Sequence, residues 1–320
     1  MSSGSPTRCK EIRLSLHTAV KAADFVTGPY AQGPIPFQTI VEETCRLGFE
    51  GISLAGFPAG TSPDTHPSEK QREGIVDLLD KHGLGVSEYI PDLSDCVPIF
   101  RNEKQRERYL DLLKKHLDFC VDVGAKKMRV DTGILSVSDL AVPYHAAWDR
   151  LVSVWRQAAE LAASRNVCLA WEFEPGFIFN KPREILKLVE AIDNPAFKTM
   201  FDTCHAYMCA VVGAKQPPPT ETLAGGVVEL AEMLHGRIGA VHIIDSDGTL
   251  HHDWTSKHVP PGRGTIDFGR VVPAIIDAGY LDDWWTLDLC FWPNAWDELQ
   301  GAKSFLDGIK RRFDIYGCVK

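Results

Sequence analysis

The sequence lacks any run of about 20 consecutive apolar residues, the length that a membrane-spanning helix requires. It contains no Cys-x-x-Cys pair and no Asn-x-Ser/Thr sequon, and its nine cysteines are an odd number, so a disulfide-rich secreted scaffold is not indicated. The first residues, MSSGSPTRCK, have no apolar segment of the kind found in secretory signals. We therefore expect a cytoplasmic protein with no membrane partner and with residues 1–10 as a disordered tail.

Positive charge is also scarce. The chain has 34 Lys and Arg residues against 43 Asp and Glu residues, which gives a net charge of −9. Because nucleic-acid binding depends on clustered Lys and Arg, no nucleic-acid partner is expected. Neither low-complexity tracts nor repeats of 20–50 residues occur, which excludes a solenoid. The 44% of hydrophobic residues is enough to bury a full globular core.

Eight short segments rich in apolar and β-branched residues alternate with longer segments of helical periodicity. The predicted strands span 13–17, 51–55, 85–89, 127–130, 167–173, 199–202, 240–244 and 284–289. The predicted helices span 36–47, 67–82, 103–123, 144–165, 181–193, 219–235, 267–279 and 296–313. Gly48, Gly83 and Gly124 follow the first three helices, as C-terminal capping glycines do.

Eight βα units with no linker between them predict an α/β fold, a single (β/α)8 TIM barrel over residues 11–320. A doubly wound open sheet is the alternative that strand counting leaves open. Two long connections, 203–219 and 245–266, follow strands. In a barrel they would lie at the carboxyl ends of the strands, where active sites are built.

Four consecutive predicted strands end in residue types that bind metals. These residues are Glu172, Glu174, Asp202, His205, His242, Asp245 and Asp288. In a barrel the strand ends converge, and the clustered carboxylates would repel each other unless a cation neutralised them. Period-two alternation places Glu172 and Glu174 on the same face of their strand. The mixture of imidazole and carboxylate groups predicts a site for one divalent ion.

The runs LAWEFEPGF, MFDTCHAY, VHIIDSDG, GRGTIDF and TLDLCFW resemble the strand motifs of the sugar phosphate isomerase/epimerase superfamily. These xylose isomerase-like TIM barrels include ketose 3-epimerases, inosose dehydratases and C-glycoside deglycosidase relatives. The resemblance covers roughly residues 13–313. It implies that Glu172, Asp202, His242 and Asp288 hold the metal, with Mn²⁺ expected first and Mg²⁺, Co²⁺, Fe²⁺, Ni²⁺ or Zn²⁺ as alternatives.

The further candidate site residues come partly from the resemblance and partly from their predicted places at the strand ends and in the loops that follow them. Glu172, Glu174, His205 and Asp288 are the candidate catalytic residues, although Asp288 stands where the family usually has the longer Glu. The candidate substrate-binding residues are His17, Trp254, His258 and Arg263. Arg263 would hold a substrate hydroxyl, carboxylate or phosphate, or would instead pair with a neighbouring acid.

The leading functional hypothesis is a metal-dependent isomerase or epimerase that removes a proton next to the carbonyl of a keto-sugar or related polyol, through an ene-diolate. The alternative is a lyase or dehydratase that carries out β-elimination on a 3-keto-glycoside or an inosose. A third hypothesis is a non-catalytic binding subunit. Members of this superfamily often associate, so a homo-oligomer or a small partner subunit is also expected.

Overall fold

The structure is a computed structural model that describes residues 12–17, 35–57, 60–96, 102–133, 140, 142–252, 254–280, 282–290 and 292–317. The expected tail at residues 1–10 lies outside this range. Within the described ranges, no helix is both long and apolar enough to cross a membrane.

Eight parallel strands close into a barrel, which confirms the predicted TIM barrel over the open sheet. The barrel strands are β1 (Arg13–His17), β2 (Gly51–Ala55), β3 (Gly85–Ile90), β4 (Lys127–Val130), β5 (Cys168–Glu172), β6 (Phe197–Asp202), β7 (Ile238–Ile243) and β10 (Trp284–Leu287). Around the barrel their order is β1, β10, β7, β6, β5, β4, β3, β2. The short strands β8 (Leu250–His251) and β9 (Thr255–Ser256) form an antiparallel hairpin after β7 that the sequence did not predict.

Nine helices lie in the described part of the chain, and most of them surround the barrel. They are α1 (Phe37–Arg46), α2 (Glu69–Lys81), α3 (Glu103–Asp122), α4 (Tyr144–Ala163), α5 (Pro182–Ile192), α6 (Thr203–Tyr207), α7 (Gly226–Met233), α8 (Phe268–Asp277) and α9 (Ala295–Gly317). Capping residues mark the first turns of two of these helices. Ser68 and Gln71 form a capping box at the start of α2, and the Asn102 side chain caps the start of α3.

The region between β6 and β7 differs from the prediction. The expected helix over 219–235 is reduced to α7, because the preceding residues are held to the 208–216 segment by tertiary hydrogen bonds. The Leu223 amide donates to the Ala210 carbonyl at 2.8 Å, and the Glu221 amide donates to Gln216 Oε1 at 2.6 Å. The expected loop over 203–219 begins with α6 and a π-helical turn, Met208–Val212.

Two separate sets of buried side chains stabilise the barrel. The main core fills the space between strands and helices and includes Trp155, Trp171 and Phe201. Inside the barrel, Ala170, Met200 and Ala240 form a small apolar cluster of their own. Because side chains alternate along a strand, the next inward positions lie two residues further on, at the carboxyl ends of β5, β6 and β7.

Candidate active site

The inward positions beyond the small apolar cluster carry the predicted ligands. Glu172, Asp202 and His242 each follow a residue of that cluster by two positions, and Asp288 follows the inward Thr286 in the same way. All four side chains are buried, and Asp202 and His242 have no exposed surface. The closed barrel therefore brings together four strand ends that are up to 116 residues apart in the chain.

One imidazole nitrogen lies among three carboxylates. His242 Nδ1 is 3.6 Å from Asp288 Oδ2, 3.7 Å from Glu172 Oε1 and 3.9 Å from Asp202 Oδ2. Ligand atoms bound about 2.0–2.2 Å from one cation lie roughly 3–3.5 Å from each other, only slightly closer than these atoms. Neither His242 Nδ1 nor Asp202 Oδ2 has a hydrogen-bond partner in the described part of the chain.

Three buried carboxylates around one imidazole require a positive charge to offset their mutual repulsion. Burial lowers the pKa of His242, but the carboxylates Asp288, Glu88 and Glu172 outweigh it and raise that pKa well above the usual histidine range. A buried polar atom without a partner is costly, and each of these atoms can bind a cation. The residues thus fit a single divalent ion held by one nitrogen and several oxygens, and the donor set suits a hard or borderline cation.

The opposite nitrogen of the same ring faces a fourth carboxylate deep in the barrel. Glu88 Oε1 lies 3.4 Å from His242 Nε2 and accepts a hydrogen bond from the Thr286 hydroxyl at 2.8 Å. Burial raises the pKa of Glu88, but interactions with His242 and Lys127 prevail and bring it to about 2. The Glu88 carboxylate at Nε2 orients the ring so that Nδ1 points at Glu172, Asp202 and Asp288.

Arg129, which the sequence analysis did not single out, neutralises the other side of the cluster. Its Nε donates to Glu172, its Nη1 donates to Asp131, and its Nη2 donates to Glu174 at 2.9 Å. Burial raises the pKa of Glu172, but the Arg129 charge and the nearby histidines lower it to about 2. Period-two alternation in KMRV places Arg129 inward together with Lys127, a signal that could have identified it.

Glu174 lies beside the cluster, at the cavity. It accepts hydrogen bonds from Arg129 and from the Thr255 hydroxyl, which belongs to the hairpin. Burial and the neighbouring Glu172 charge raise its pKa above the usual value. His205 Nε2 is 3.7 Å from Glu174 Oε2, while its Nδ1 is 2.8 Å from the Ser256 hydroxyl. His205 therefore lies at a helix start and also faces the candidate site.

His258 and His17 approach the cluster from the Asp288 side. His258 Nδ1 is 3.7 Å from Asp288 Oδ2. Burial lowers the pKa of His258, but the charge of Asp288 outweighs that effect and raises it to about 9. His17 Nδ1 lies 3.1 Å from the Ser53 hydroxyl, and burial lowers the His17 pKa. His258 therefore places an acid–base group beside the short Asp288 carboxylate.

Asp245 does not join the ligand cluster, although it was among the acidic residues at the strand ends. Its carboxylate accepts four backbone hydrogen bonds, from the amides of Ser246, Gly262, Gly264 and Ile266, at 2.8–3.0 Å. Its own backbone pairs with Val259 in both directions. Asp245 therefore organises the loop that carries His258.

Arg263, in the same loop, points away from the cluster. Its guanidinium pairs with Glu298 at 2.6 Å, and the side chain is 57% exposed. It is absent from the described residues that line the cavity, so the structure places it in the ion pair that was the alternative to substrate binding.

A cavity of about 560 Å³ opens above the cluster at the carboxyl ends of the strands. Its polar lining includes Arg129, Glu172, Glu174, His205, His258 and Asp288, and its wall also includes His17 and Trp254. Nine of the ten predicted site residues are thus either lining this cavity or, for Asp202 and His242, buried directly against Glu172. This is the usual position of a TIM-barrel active site.

Comparison with known families agrees with this architecture. The family model described as xylose isomerase-like TIM barrel matches residues 41–306. The chain belongs to this family. The resemblance noted in the strand motifs is thereby confirmed. No curated protein sequence matches significantly.

Solved structures of the family share the fold at low sequence identity. D-psicose 3-epimerase from Clostridium cellulolyticum H10 is 14% identical, with a TM-score of 0.71 over 94% of this chain and 99% of that one. IOLI protein with a bound zinc atom is 15% identical, with a TM-score of 0.70 over 97% and 100%. The probable 3-DHS dehydratase AsbF from Bacillus anthracis is 18% identical, with a TM-score of 0.69 over 92% and 99%.

Proposed function

We propose that this xylose isomerase-like barrel is a metal-dependent enzyme that removes a proton next to the carbonyl of a keto-sugar or a related polyol. The observation that carries the proposal is the arrangement of Glu172, Asp202 and Asp288 around His242 Nδ1, four side chains from four strand ends, beneath a cavity that also contains acid–base residues. Epimerases and a dehydratase among the structurally similar proteins support an enzyme of this class.

Glu172, Asp202, His242 and Asp288 would hold the ion, and Mn²⁺ is the ion we expect first because one imidazole and three carboxylates suit it. A bound divalent ion would polarise the substrate carbonyl and so acidify the neighbouring C–H bond. Glu88 would keep His242 Nδ1 directed at the cluster. Arg129 would keep one oxygen of Glu172 engaged and leave Oε1, 3.7 Å from His242 Nδ1, for the ion.

Two sets of residues around the cluster can transfer protons. On one side are Glu172 and Glu174, both tied to Arg129, and on the other side is His258 next to Asp288. One set would remove the α-proton to give the ene-diolate, and the other would return a proton. Return to the same carbon gives an epimer, and return to the adjacent carbon gives an isomer. His205 would position Glu174 and a substrate hydroxyl.

A lyase reaction on a keto-glycoside or an inosose is the second candidate, and the position of His258 favours it. A buried imidazole beside Asp288 is a proton donor that carboxylate-only sites lack. In this reaction a carboxylate takes the α-proton, the bond from the β-carbon to its substituent breaks, and His258 protonates the departing group.

Metal content and solvent exchange test the proposal together. We expect one divalent ion per chain by elemental analysis and deuterium incorporation from D₂O into a keto-sugar or 3-keto-glycoside under anaerobic conditions. The product then separates epimer, isomer and elimination product. Asp202→Asn should lose metal and exchange together. Glu184→Gln is the matched control and should keep both; Glu184 is a half-buried residue of α5 whose carboxylate accepts a hydrogen bond from the Tyr144 hydroxyl of α4.

Exchange by a metal-free protein would refute the metal-dependent chemistry. Absence of both metal uptake and exchange, after Mn²⁺ has been supplied, would support a non-catalytic binding subunit instead.

A further inference from the structure

The cavity is larger than a single sugar ring. At about 15–20 Å³ for each heavy atom of a closely packed molecule, a hexose fills roughly 200 Å³. The cavity volume of about 560 Å³ is more than twice that and falls within the ~300–1,000 Å³ range of pockets that enclose larger ligands. A ring bound at the ligand cluster would therefore leave a second compartment toward the mouth.

The part of the lining away from the cluster is apolar and aromatic. Phe57 follows β2, Ile90 ends the neighbouring strand β3, and Leu93 follows β3. Phe57 also packs on Ala55 and Cys290. Phe177 follows β5, and Trp254 belongs to the hairpin.

The Phe177 and Trp254 segments are held together by a close backbone approach. A Cβ at Gly176 would collide with the Trp254 carbonyl oxygen, so a glycine is required there. Gly176 also has a φ of +87°, which disfavours any other residue. Aromatic side chains fixed in this way form a preformed surface for an apolar group.

The charge of the cavity disfavours an anionic ligand. Its described lining contains five carboxylates, at Asp92, Asp131, Glu172, Glu174 and Asp288. Arg129 is the only Lys or Arg among those described lining residues, and its Nε, Nη1 and Nη2 each donate to a carboxylate. A phosphate or carboxylate on the substrate would thus meet like charges, because the Arg129 guanidinium is engaged by carboxylates and His258, another basic group of the described lining, lies against Asp288.

The basic residues of the loop after β7 are also engaged elsewhere. Arg263 pairs with Glu298, and Lys257 pairs with Asp247 at 2.6 Å. Neither is among the described lining residues. The loop that supplies His258 therefore contributes no phosphate-binding cation to the described part of the cavity.

We propose that the substrate is an uncharged keto-sugar or keto-polyol carrying an apolar substituent, which binds against Phe57, Leu93, Phe177 and Trp254. This inference rests on the proposed function, because it assumes that the ring lies at the ligand cluster. These four residues form the apolar wall, and the substituent is the apolar group.

Matched pairs of probes test the proposal on the Mn²⁺-loaded full-length protein. Phenyl and methyl 3-keto-β-D-glucopyranoside differ only in the apolar group, and D-fructose and D-fructose 6-phosphate differ only in the anion. Dissociation constants are measured by calorimetry and exchange by deuterium incorporation. We expect the phenyl compound to bind at least tenfold more tightly than the methyl compound, and the phosphate to bind at least tenfold more weakly than fructose.

Variants of the apolar wall locate the effect. Trp254→Leu and Phe177→Leu should each reduce the phenyl preference, measured as the ratio of the methyl to the phenyl dissociation constant, at least threefold. Trp292→Leu removes a partly buried tryptophan that stacks near Lys257 and is not among the described lining residues, and it should leave the preference unchanged. Two wall variants are used so that one poorly folded protein does not decide the result.

The outcomes separate this inference from the proposed function. Equal affinity for the phenyl and methyl compounds, failure of the phenyl compound to bind, or tighter binding of the phosphate overturns the inference. If deuterium exchanges into the probes but the phenyl and methyl compounds bind equally, the inference is overturned while the proposed function stands. A phenyl preference that depends on the wall, with no exchange into any probe, supports the inference and refutes the proposed function.

Discussion

Glu88 offers a sharp test of the proposed metal site, because it lies against His242, a proposed ligand, and would not contact the ion itself. Glu88→Gln keeps the size of the side chain and removes the charge that faces His242 Nε2 at 3.4 Å. Without that charge the ring is less strongly oriented, and Nδ1 becomes a weaker donor toward the cluster. The expected result is weaker metal binding in a folded protein.

The magnitude follows from the chemistry of such pairs. Loss of the carboxylate partner of a metal-bound histidine typically weakens metal affinity by about 10–100-fold, which corresponds to about 1.4–2.8 kcal/mol. Because Glu88 is 1% exposed, solvent screening does not reduce this value much. The Gln variant retains an oxygen that can accept a hydrogen bond, so we expect the lower part of that range, and Glu88→Ala should give the upper part.

The assay is competition of the protein with a chelator of known Mn²⁺ affinity, together with thermal unfolding of the chelator-treated protein. Thr286→Val is the matched control, since it removes the hydroxyl that donates to Glu88 at 2.8 Å and keeps the carboxylate. It should change the affinity by less than about threefold, because the charge facing His242 remains. An unchanged Mn²⁺ dissociation constant in a well-folded Glu88→Gln protein would show that the reasoning is wrong.

Three further predictions concern stability and the loop after β7. Burial lowers the pKa of His116 to about 4, so below pH 6.5 the unfolded chain binds a proton that the folded chain does not. The free energy of unfolding should therefore fall by about 3 kcal/mol between pH 6.5 and 4. Urea unfolding at several pH values measures this fall, and the His116→Gln variant should show a smaller one. A Cβ at Gly264 would collide with the Asp245 carboxylate, so Gly264→Ala should displace the loop and reduce turnover on the order of tenfold or more, whereas Gly308→Ala, in open space on α9, should leave turnover unaffected. Removing the buried cation in Arg129→Met should lower the free energy of unfolding by about 3 kcal/mol in chelator-treated protein, and a loss below 1 kcal/mol would contradict the assigned network.

The arrangement of strands and the inner residues of the site follow from local patterns. The alternation in LAWEFEP places Glu172 inward, and the same period in TMFD and AVHII places Asp202 and His242 inward. These assignments succeed because a parallel strand buried on both faces has only two choices for each side chain. The closure of the barrel then brings the strand ends to one point.

The residues of the connecting segments could not be assigned in this way. His258 and Arg263 lie five positions apart in one loop, and no periodicity distinguishes them. In the structure, Asp245 binds the amides of Gly262 and Gly264, His258 turns toward Asp288, and Arg263 turns to Glu298. The helix predicted over 219–235 is shorter in the structure for a related reason, since residues 221 and 223 form hydrogen bonds with the preceding 208–216 segment instead of continuing the helix.

The sequence by itself thus determined the barrel and the metal-binding residue types at four strand ends, because backbone periodicity and the identity of the residues at the strand ends are local properties. Only the tertiary structure decided which side chains contact these residues. Arg129 donates hydrogen bonds to Glu172 and Glu174, Glu88 faces His242 Nε2, and the Thr255 hydroxyl of the hairpin donates to Glu174. Charges interact through space according to their separation, and that separation is set only when the barrel closes and the loops pack over its mouth.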